Sequence, residues 1–314
     1  MVRVPARRAE TRTLTCLRPE EPLLAPFRVV ALFADIAIGL LCFLRFPTAT
    51  TEVYPGAAKP LSRPRRNCPE IHGASGLDGP DIPHAPRNPN DEKAVIAMAR
   101  AIKTSGTETQ SVYLVATGAL TNVALLLSLF PELVPFVKVV IMGGAMGKGN
   151  TNPVAEFNIQ CDPEAAHIVF ESGADVTMVP LEVTHTALVT PEVRAALMGT
   201  GSRFCRLVDE LLQFFADTYR DVFQFDDPPL HDPCAVFYVL QPDLFNSKLL
   251  RVDVETSSPL SAGQTICDVW HQSNKPPNVR VCTEMNVPRF WEEMVAAVRR
   301  ADSVCPLTRD AFDL

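Results

Sequence analysis

From about residue 53 onward, short apolar runs alternate with amphipathic segments, and this rhythm limits the fold more than any other feature of the chain. Strands separated by helices read as βαβ units, which stack into a parallel sheet with helices on its faces. Asn90 or Asp91 is placed to cap a helix whose apolar positions Val95, Ile96, Met98, Ala99 and Ile102 share one face, ending near Ser105-Gly106. Residues 111–116 read as a buried strand, and Thr117-Gly118 turns the chain into a helix over 121–130, stopped by Pro131. Val137–Met142 is the next strand, an apolar run suited to burial on both faces of a parallel sheet. The expected fold is α/β, an open and mostly parallel central sheet flanked by helices.

Composition removes several functional classes. With 314 residues, 47% hydrophobic and 21% charged, the chain is long enough for a substantial core. Its net charge is -7 and no local cluster of Lys and Arg compensates, so the basic footprint that holds a phosphate backbone is missing. Aromatic residues make up 7% and include two Trp, a thin supply of base-stacking platforms, and nucleic acid is not an expected partner. The nine cysteines are scattered without a C-x-x-C pair, which argues against zinc and against a disulfide framework. Several, such as Cys234 in Pro-Cys-Ala-Val-Phe, read as small buried hydrophobes in a reducing, cytoplasmic setting.

The beginning of the chain differs from the rest. Thirteen of the 28 prolines fall within residues 1–90, and Arg3, Arg7, Arg8 and Arg12 precede an apolar run over 29–44. That run is shorter than the ~20 apolar residues of a membrane span and carries Asp35. A secretory signal would lie nearer Met1 and be followed by a small-residue cleavage site, and arginines alone are weak grounds for a transit peptide. The preferred reading is a buried strand or helix preceded by a loose arm.

The strand Val137–Met142 runs directly into Gly143-Gly144-Ala145-Met146-Gly147-Lys148-Gly149-Asn150. A dinucleotide fingerprint would open a helix at once. Here more loop follows and the next helix is expected only at Asp162-Pro163, so the glycines read as sharp turns and close approaches rather than a phosphate cradle. A loop at the carboxyl end of a parallel strand still lines the ligand crevice of an open α/β sheet. In Glu156-Phe157-Asn158, an extended backbone would send Glu156 and Asn158 to one face, where with Asn150 they offer hydrogen bonds to a polyhydroxylated ligand. Asp162-Pro163 and Asp232-Pro233 are helix starts with Asp as cap and Pro at the first helical position. Asp162 reads as a structural cap. Asp232 differs because His231 precedes it, putting an acid/base imidazole and a metal-binding carboxylate at one helix entry.

Seven blocks in order now carry a resemblance. These are Val53-Tyr54-Pro55-Gly56, Ile71-His72-Gly73-Ala74-Ser75-Gly76, Thr117-Gly118-Ala119-Leu120-Thr121-Asn122, Met142-Gly143-Gly144, Glu156-Phe157-Asn158-Ile159 with Asp162-Pro163-Glu164-Ala165-Ala166, His231-Asp232-Pro233, and the tail pairing Val252-Asp253-Val254 with Asp268-Val269-Trp270. Together they resemble the inosine-uridine preferring nucleoside hydrolases from about residue 53 to about 298. The resemblance implies a calcium-dependent enzyme that splits the N-glycosidic bond of a nucleoside into free base and ribose. It implies Asp232 and the Thr117 carbonyl as calcium ligands, and Asn150, Glu156 and Asn158 as partners of the ribose hydroxyls. Met142 matches the hydrophobic position of the pocket, His231 would assist departure of the base, and His72 is a site-proximal histidine. The expected organisation is a divergent segment over 1–52, the hydrolase-like domain over 53–300 and a tail over 301–314. A nucleoside is the expected small-molecule partner, a membrane is not expected, and a homo-oligomer is compatible with the resemblance.

One family feature is absent from the sequence. Members begin with a strand and a loop of the form D-x-D-P-G-x-D-D, which supplies further calcium carboxylates and the general base. Asp35 is the only aspartate among residues 1–77, and Phe33-Ala34-Asp35-Ile36-Ala37 has neither paired acids nor Pro-Gly. No catalytic role is transferred to Asp35. The loss predicts a weakened calcium site and an unpaired or rearranged neighbour in the central sheet. A non-catalytic nucleoside- or ribose-binding protein on the same scaffold is the alternative reading.

Overall fold

The structure is a computed structural model that describes residues 12–16, 29–33, 52–66, 68, 71, 89–106 and 111–305. Among these residues the strands are β1 (Arg12–Cys16), β2 (Val29–Phe33), β3 (Glu52–Pro55), β4 (Val112–Ala116), β5 (Val137–Met142), β6 (Asp175–Val179), β7 (Phe245–Leu250), β8 (Val252–Val254), β9 (Thr265–Cys267) and β10 (Val279–Met285). Eight of them form one sheet in the order β3-β1-β2-β4-β5-β6-β10-β7, and β8 and β9 pair separately. The pairs from β2 through β4, β5 and β6 to β10 are parallel, whereas β1 and β7 run antiparallel to their neighbours. The fold is therefore the expected α/β class with an open, mostly parallel sheet.

Burial on both faces explains the unbroken apolar runs of β4 and β5. Leu114, Val139 and Ile141 pack into one core cluster, whereas their sequence neighbours Val115, Val140 and Met142 pack into another on the opposite side. Helices α1 (Ala94–Ser105), α2 (Thr121–Leu129) and, after the short α3 (Phe157–Cys161), α4 (Pro163–Glu171) supply Met98, Ile102, Leu126 and Val169 to the first cluster. The second is covered from the remaining helices. After α5 (Leu181–Thr184), α6 (Pro191–Met198) gives Leu197, α7 (Arg203–Phe223) gives Phe204, α8 (Asp232–Leu240) gives Phe237, and α9 (Val287–Val304) gives Phe290 and Trp291.

Several local expectations change. Arg12–Cys16, read from composition as part of a loose arm, is a strand between β2 and β3, as suits its Thr-Leu-Thr core. β2 lies within the apolar run and pairs parallel with β4, from Val29 opposite Tyr113 to Leu32 opposite Ala116. The side of β4 for which an open edge was one expectation is thus paired. Asp35 and the rest of that run lie outside the described residues, and no helix among the described residues is long and apolar enough to cross a membrane. α1 begins at Ala94 with Lys93, not Asn90 or Asp91, in the cap position and no side-chain cap. The Asn90 amide donates to the Val53 carbonyl at 2.7 Å, which keeps that stretch against β3 and delays the helix.

The extended reading of Glu156-Phe157-Asn158 is also corrected. Phe157–Cys161 is helical, and a helix therefore starts well before Asp162-Pro163. Glu156 is its N-cap, accepting from the Asn158 amide at 2.8 Å and the Ile159 amide at 3.2 Å. Asp162 then breaks the chain and caps α4 through the Ala165 amide at 3.1 Å. Its other oxygen accepts from the Leu61 amide at 2.8 Å and the Thr121 hydroxyl at 2.6 Å, which fastens the loop after β3 to the start of α2.

Candidate active site

Most of the candidate residues stand where parallel strands end. β4 stops at Ala116 ahead of Thr117, β5 stops at Met142 ahead of the glycine loop, and β6 stops at Val179 ahead of α5. This is the edge of an open α/β sheet at which ligand crevices form.

The glycine loop needs its glycines for reasons of space. Gly144 has φ +80, and a Cβ there would stand 2.6 Å from Met178 Sδ and 3.2 Å from Thr265 Oγ1. At Gly149 a Cβ would collide with the backbone of Ala155 and Asn152. The loop is then tied down from three sides. Thr265 Oγ1 accepts from the Ala145 amide at 2.9 Å and donates to its carbonyl at 2.6 Å. Glu182 of α5 accepts from the Met146 and Gly147 amides at 2.9 Å. The Gly144 amide donates to Glu156 at 3.0 Å.

These ties bring the expected ribose residues together. Asn150 Oδ1 accepts from the Phe157 amide at 2.9 Å, at the start of the helix that Glu156 caps and that carries Asn158. Asn158 Nδ2 donates to the Met142 carbonyl at 2.9 Å and the Thr117 carbonyl at 3.2 Å, and lies 3.5 Å from Met142 Sδ. Glu156 is 2% exposed. Burial pushes its carboxyl up to about 7, and the amides of Asn158, Gly144 and Ile159 pull the other way. Each carboxylate oxygen has two lone pairs, so Glu156 Oε1 keeps room for a donor beyond the Asn158 amide. Met142 is buried behind this cluster.

His231 and Asp232 stand at the start of α8, where His231, not Asp232, takes the N-cap position and no side chain caps the helix. The Asp232 carboxyl is pushed up to about 7 by burial, with the like charge of Glu156 adding to the effect. Among the described residues no hydrogen-bond donor lies against it. The His231 ring is held at both nitrogens. Thr184 Oγ1 lies 2.7 Å from Nδ1, and the Tyr219 hydroxyl lies 2.7 Å from Nε2. His185 packs edge-on against it with centroids 5.5 Å apart, and Phe225 packs on His185 at 5.3 Å. Burial lowers the pKa of His185, and burial together with the Asp232 charge raises that of Tyr219.

Asn150, Glu156, Asn158, Met142 and Thr117 are thus one hydrogen-bonded group, with Asp232 electrostatically coupled to it and His231 beside Asp232. His72 lies outside the described residues. Sequence reasoning missed Thr184, His185 and Tyr219. The first two had a usable signal, since Thr184-His185 follows closely on an apolar β-run ending at Val179, at the carboxyl end of a parallel strand. Tyr219 had none, because on a 21-residue amphipathic helix it reads as one more core position.

The donors fit calcium in kind and fall short in number. Asp232 and the Thr117 carbonyl would supply oxygen donors, but the ion takes 6 to 8, and no group of three His, Cys, Asp or Glu among the described residues is arranged to hold a metal.

Comparison with known proteins identifies the family. The chain matches the family described as inosine-uridine preferring nucleoside hydrolase over residues 33–292. The chain belongs to that family. Its members are nucleoside N-ribohydrolases, hydrolases acting on ribonucleosides. The chain is 45% identical over 259 residues to a probable ribonucleoside hydrolase of Dictyostelium discoideum, covering 79% of this chain and 76% of that one. It is 42% identical over 237 residues to the pyrimidine-specific ribonucleoside hydrolase RihA of Escherichia coli K12, covering 75% of each. A purine-preferring ribonucleoside hydrolase from Gardnerella vaginalis has the same fold with TM-score 0.77 and 28% identity, over 87% of this chain and 88% of that one.

Proposed function

We propose that the chain binds a ribonucleoside at the carboxyl ends of β4, β5 and β6 and hydrolyses its N-glycosidic bond. Water adds its oxygen to C1′ of the ribose as the bond from C1′ to the base nitrogen breaks. The base leaves with that electron pair and takes up a proton, and the water gives up one. Positive charge builds on the sugar in the transition state, so groups beside the ribose and the leaving base govern the rate. Asn150, Glu156 and Asn158 bind the ribose hydroxyls, Met142 forms the apolar wall, and the negative charge of Glu156 and Asp232 favours the cationic sugar. His231 assists departure of the base. Calcium is the cofactor proposed on family grounds, with Asp232 and the Thr117 carbonyl as its ligands in this chain. No step is assigned to the ion, because the described ligands do not complete its shell.

The observation that carries this reading is the convergence of Asn158, Thr117 and Met142 through one side-chain amide, with the buried Glu156 alongside and its charge felt at Asp232. The second reading, a nucleoside- or ribose-binding protein without turnover, is favoured by the missing aspartate-rich loop. One incubation separates them. The full chain is mixed with uridine or inosine, binding is followed by calorimetry, and free base is resolved by chromatography. Base release that His231→Ala diminishes supports hydrolysis, binding without base supports the second reading, and neither signal overturns both.

A further inference from the structure

Thr184 is fully buried at the end of α5 and belongs to none of the groups assigned above to the ribose or the metal. Its hydroxyl has two candidate acceptors. The Leu181 carbonyl is 3.5 Å away and already accepts the His185 amide at 2.8 Å. Nδ1 of His231 is 2.7 Å away. At the long distance a hydroxyl hydrogen bond is weak, whereas 2.7 Å is the ordinary length of a good one. The Thr184 proton therefore belongs on Nδ1, which must then be the unprotonated nitrogen of a neutral imidazole.

That assignment fixes the other side of the ring. With Nδ1 as acceptor, Nε2 carries the hydrogen and donates it to the Tyr219 oxygen at 2.7 Å. Tyr219 then has its own hydrogen left to direct elsewhere. A reversed chain would have Tyr219 donate into Nε2 and would turn that hydrogen away from a leaving base. We propose that Thr184 is a positioning residue that holds neutral His231 in the Nε2–H tautomer, so that the imidazole donates to the Tyr219 oxygen and leaves the Tyr219 hydroxyl hydrogen to point toward the departing base. This deepens the hydrolase reading and rests on it for its consequence in turnover, while the tautomer itself stands on the hydrogen-bond geometry alone.

The test separates the two. Long-range nitrogen–proton NMR of the imidazole rings in the full chain, with His231 assigned by its loss in His231→Asn, reads the tautomer without any turnover. At a pH where the ring is neutral, the expected pattern is a protonated Nε2 and an unprotonated Nδ1. Thr184→Val keeps the shape but removes the hydroxyl, and should give a mixture of tautomers, whereas Thr184→Ser should restore the original pattern. With uridine or inosine as substrate, Thr184→Val should lower kcat about tenfold with little change in KM, and Thr184→Ser should recover most of it. A protonated Nδ1 in the unsubstituted protein overturns the proposal, as does a Thr184→Val spectrum identical to it. If Thr184→Val fails to fold, the spectra of the unsubstituted protein and of Thr184→Ser still decide the tautomer. A protein with the expected tautomer that releases no base leaves the assignment standing and counts against the hydrolase reading instead.

Discussion

The Asn158 side-chain amide donates to the Thr117 carbonyl at 3.2 Å and so joins the first turn of α3 to the turn that follows β4. The same nitrogen reaches the Met142 carbonyl at the end of β5, so one group spans two adjacent strand ends. This makes Asn158 a gauge of whether the site works as a unit. Asn158→Ala removes the bridge together with the proposed polar contact to the ribose, and should weaken uridine binding about tenfold or more, about 1.4 kcal/mol. Calorimetry checks it, with a melting curve to show that the fold is kept.

Gly144 should tolerate no side chain. Gly144→Ala forces an L residue into φ +80 and drives a methyl toward Met178 and Thr265. A cost of about 2–4 kcal/mol is expected from the strained backbone and the overpacking together. The measurement is the shift in urea midpoint at unchanged m-value. A shift no larger than that of an exposed substitution would contradict the close approach.

Calcium should bind weakly. With one carboxylate and one carbonyl from the described residues, and no D-x-D-P-G-x-D-D loop in the sequence, the affinity should be no tighter than the ~10⁻³ M end of the range for natural sites. Calorimetric titration with calcium chloride gives the value. Asp232→Ala should abolish what binding there is. Tight stoichiometric binding that survives that change would refute the ligand assignment.

Low pH should expose a second cluster, remote in function from the first. Arg251 is 4% exposed and pairs with Glu171 and Asp253, and Lys275 reaches Asp253 at 3.0 Å. The Arg251 hydrogen bonds hold the Asp253 carboxyl down at about 2. A depressed carboxyl contributes stability that is fully present above its unfolded value of about 4 and is lost as pH falls through its folded value. The difference in urea midpoint between the protein and Asp253→Asn should hence be constant above about pH 5 and close as pH falls from about 4 toward 2. A difference that widened on acidification would have the wrong sign.

Much of the fold was legible because burial on both faces leaves a plain mark. β4 and β5 could be read as apolar runs, and the helix after Thr121 ends where Pro131 requires. What could not be read depended on contacts distant in sequence. The start of α1 is set by an Asn90 hydrogen bond to β3, and β2 finds its place beside β4 through a pairing that no local pattern encodes. Glu156-Phe157-Asn158 reads as extended because nothing in the local sequence marks Glu156 as the cap of a helix. Asn150, Glu156 and Asn158 cluster all the same, through the glycine loop rather than through a strand face. Tyr219 was invisible for another reason. Its partner His231 is 12 residues away across a helix end and a proline-rich turn, a spacing that carries no periodic signal.

In the proposed reading these residues form a nucleoside hydrolase site whose missing element lies ahead of β3. The decisive measurement is base release from uridine and inosine, for the full chain and for a chain in which the segment before Val53 is replaced by a family-type strand and D-x-D-P-G-x-D-D loop. Slow release of free base and ribose is expected from the first. The second should be faster by ~10²–10⁴, the usual contribution of a general base, and Asp232→Ala should remove the gain. A folded replacement protein that binds calcium and nucleoside yet liberates no base would show that these residues are not a hydrolase site.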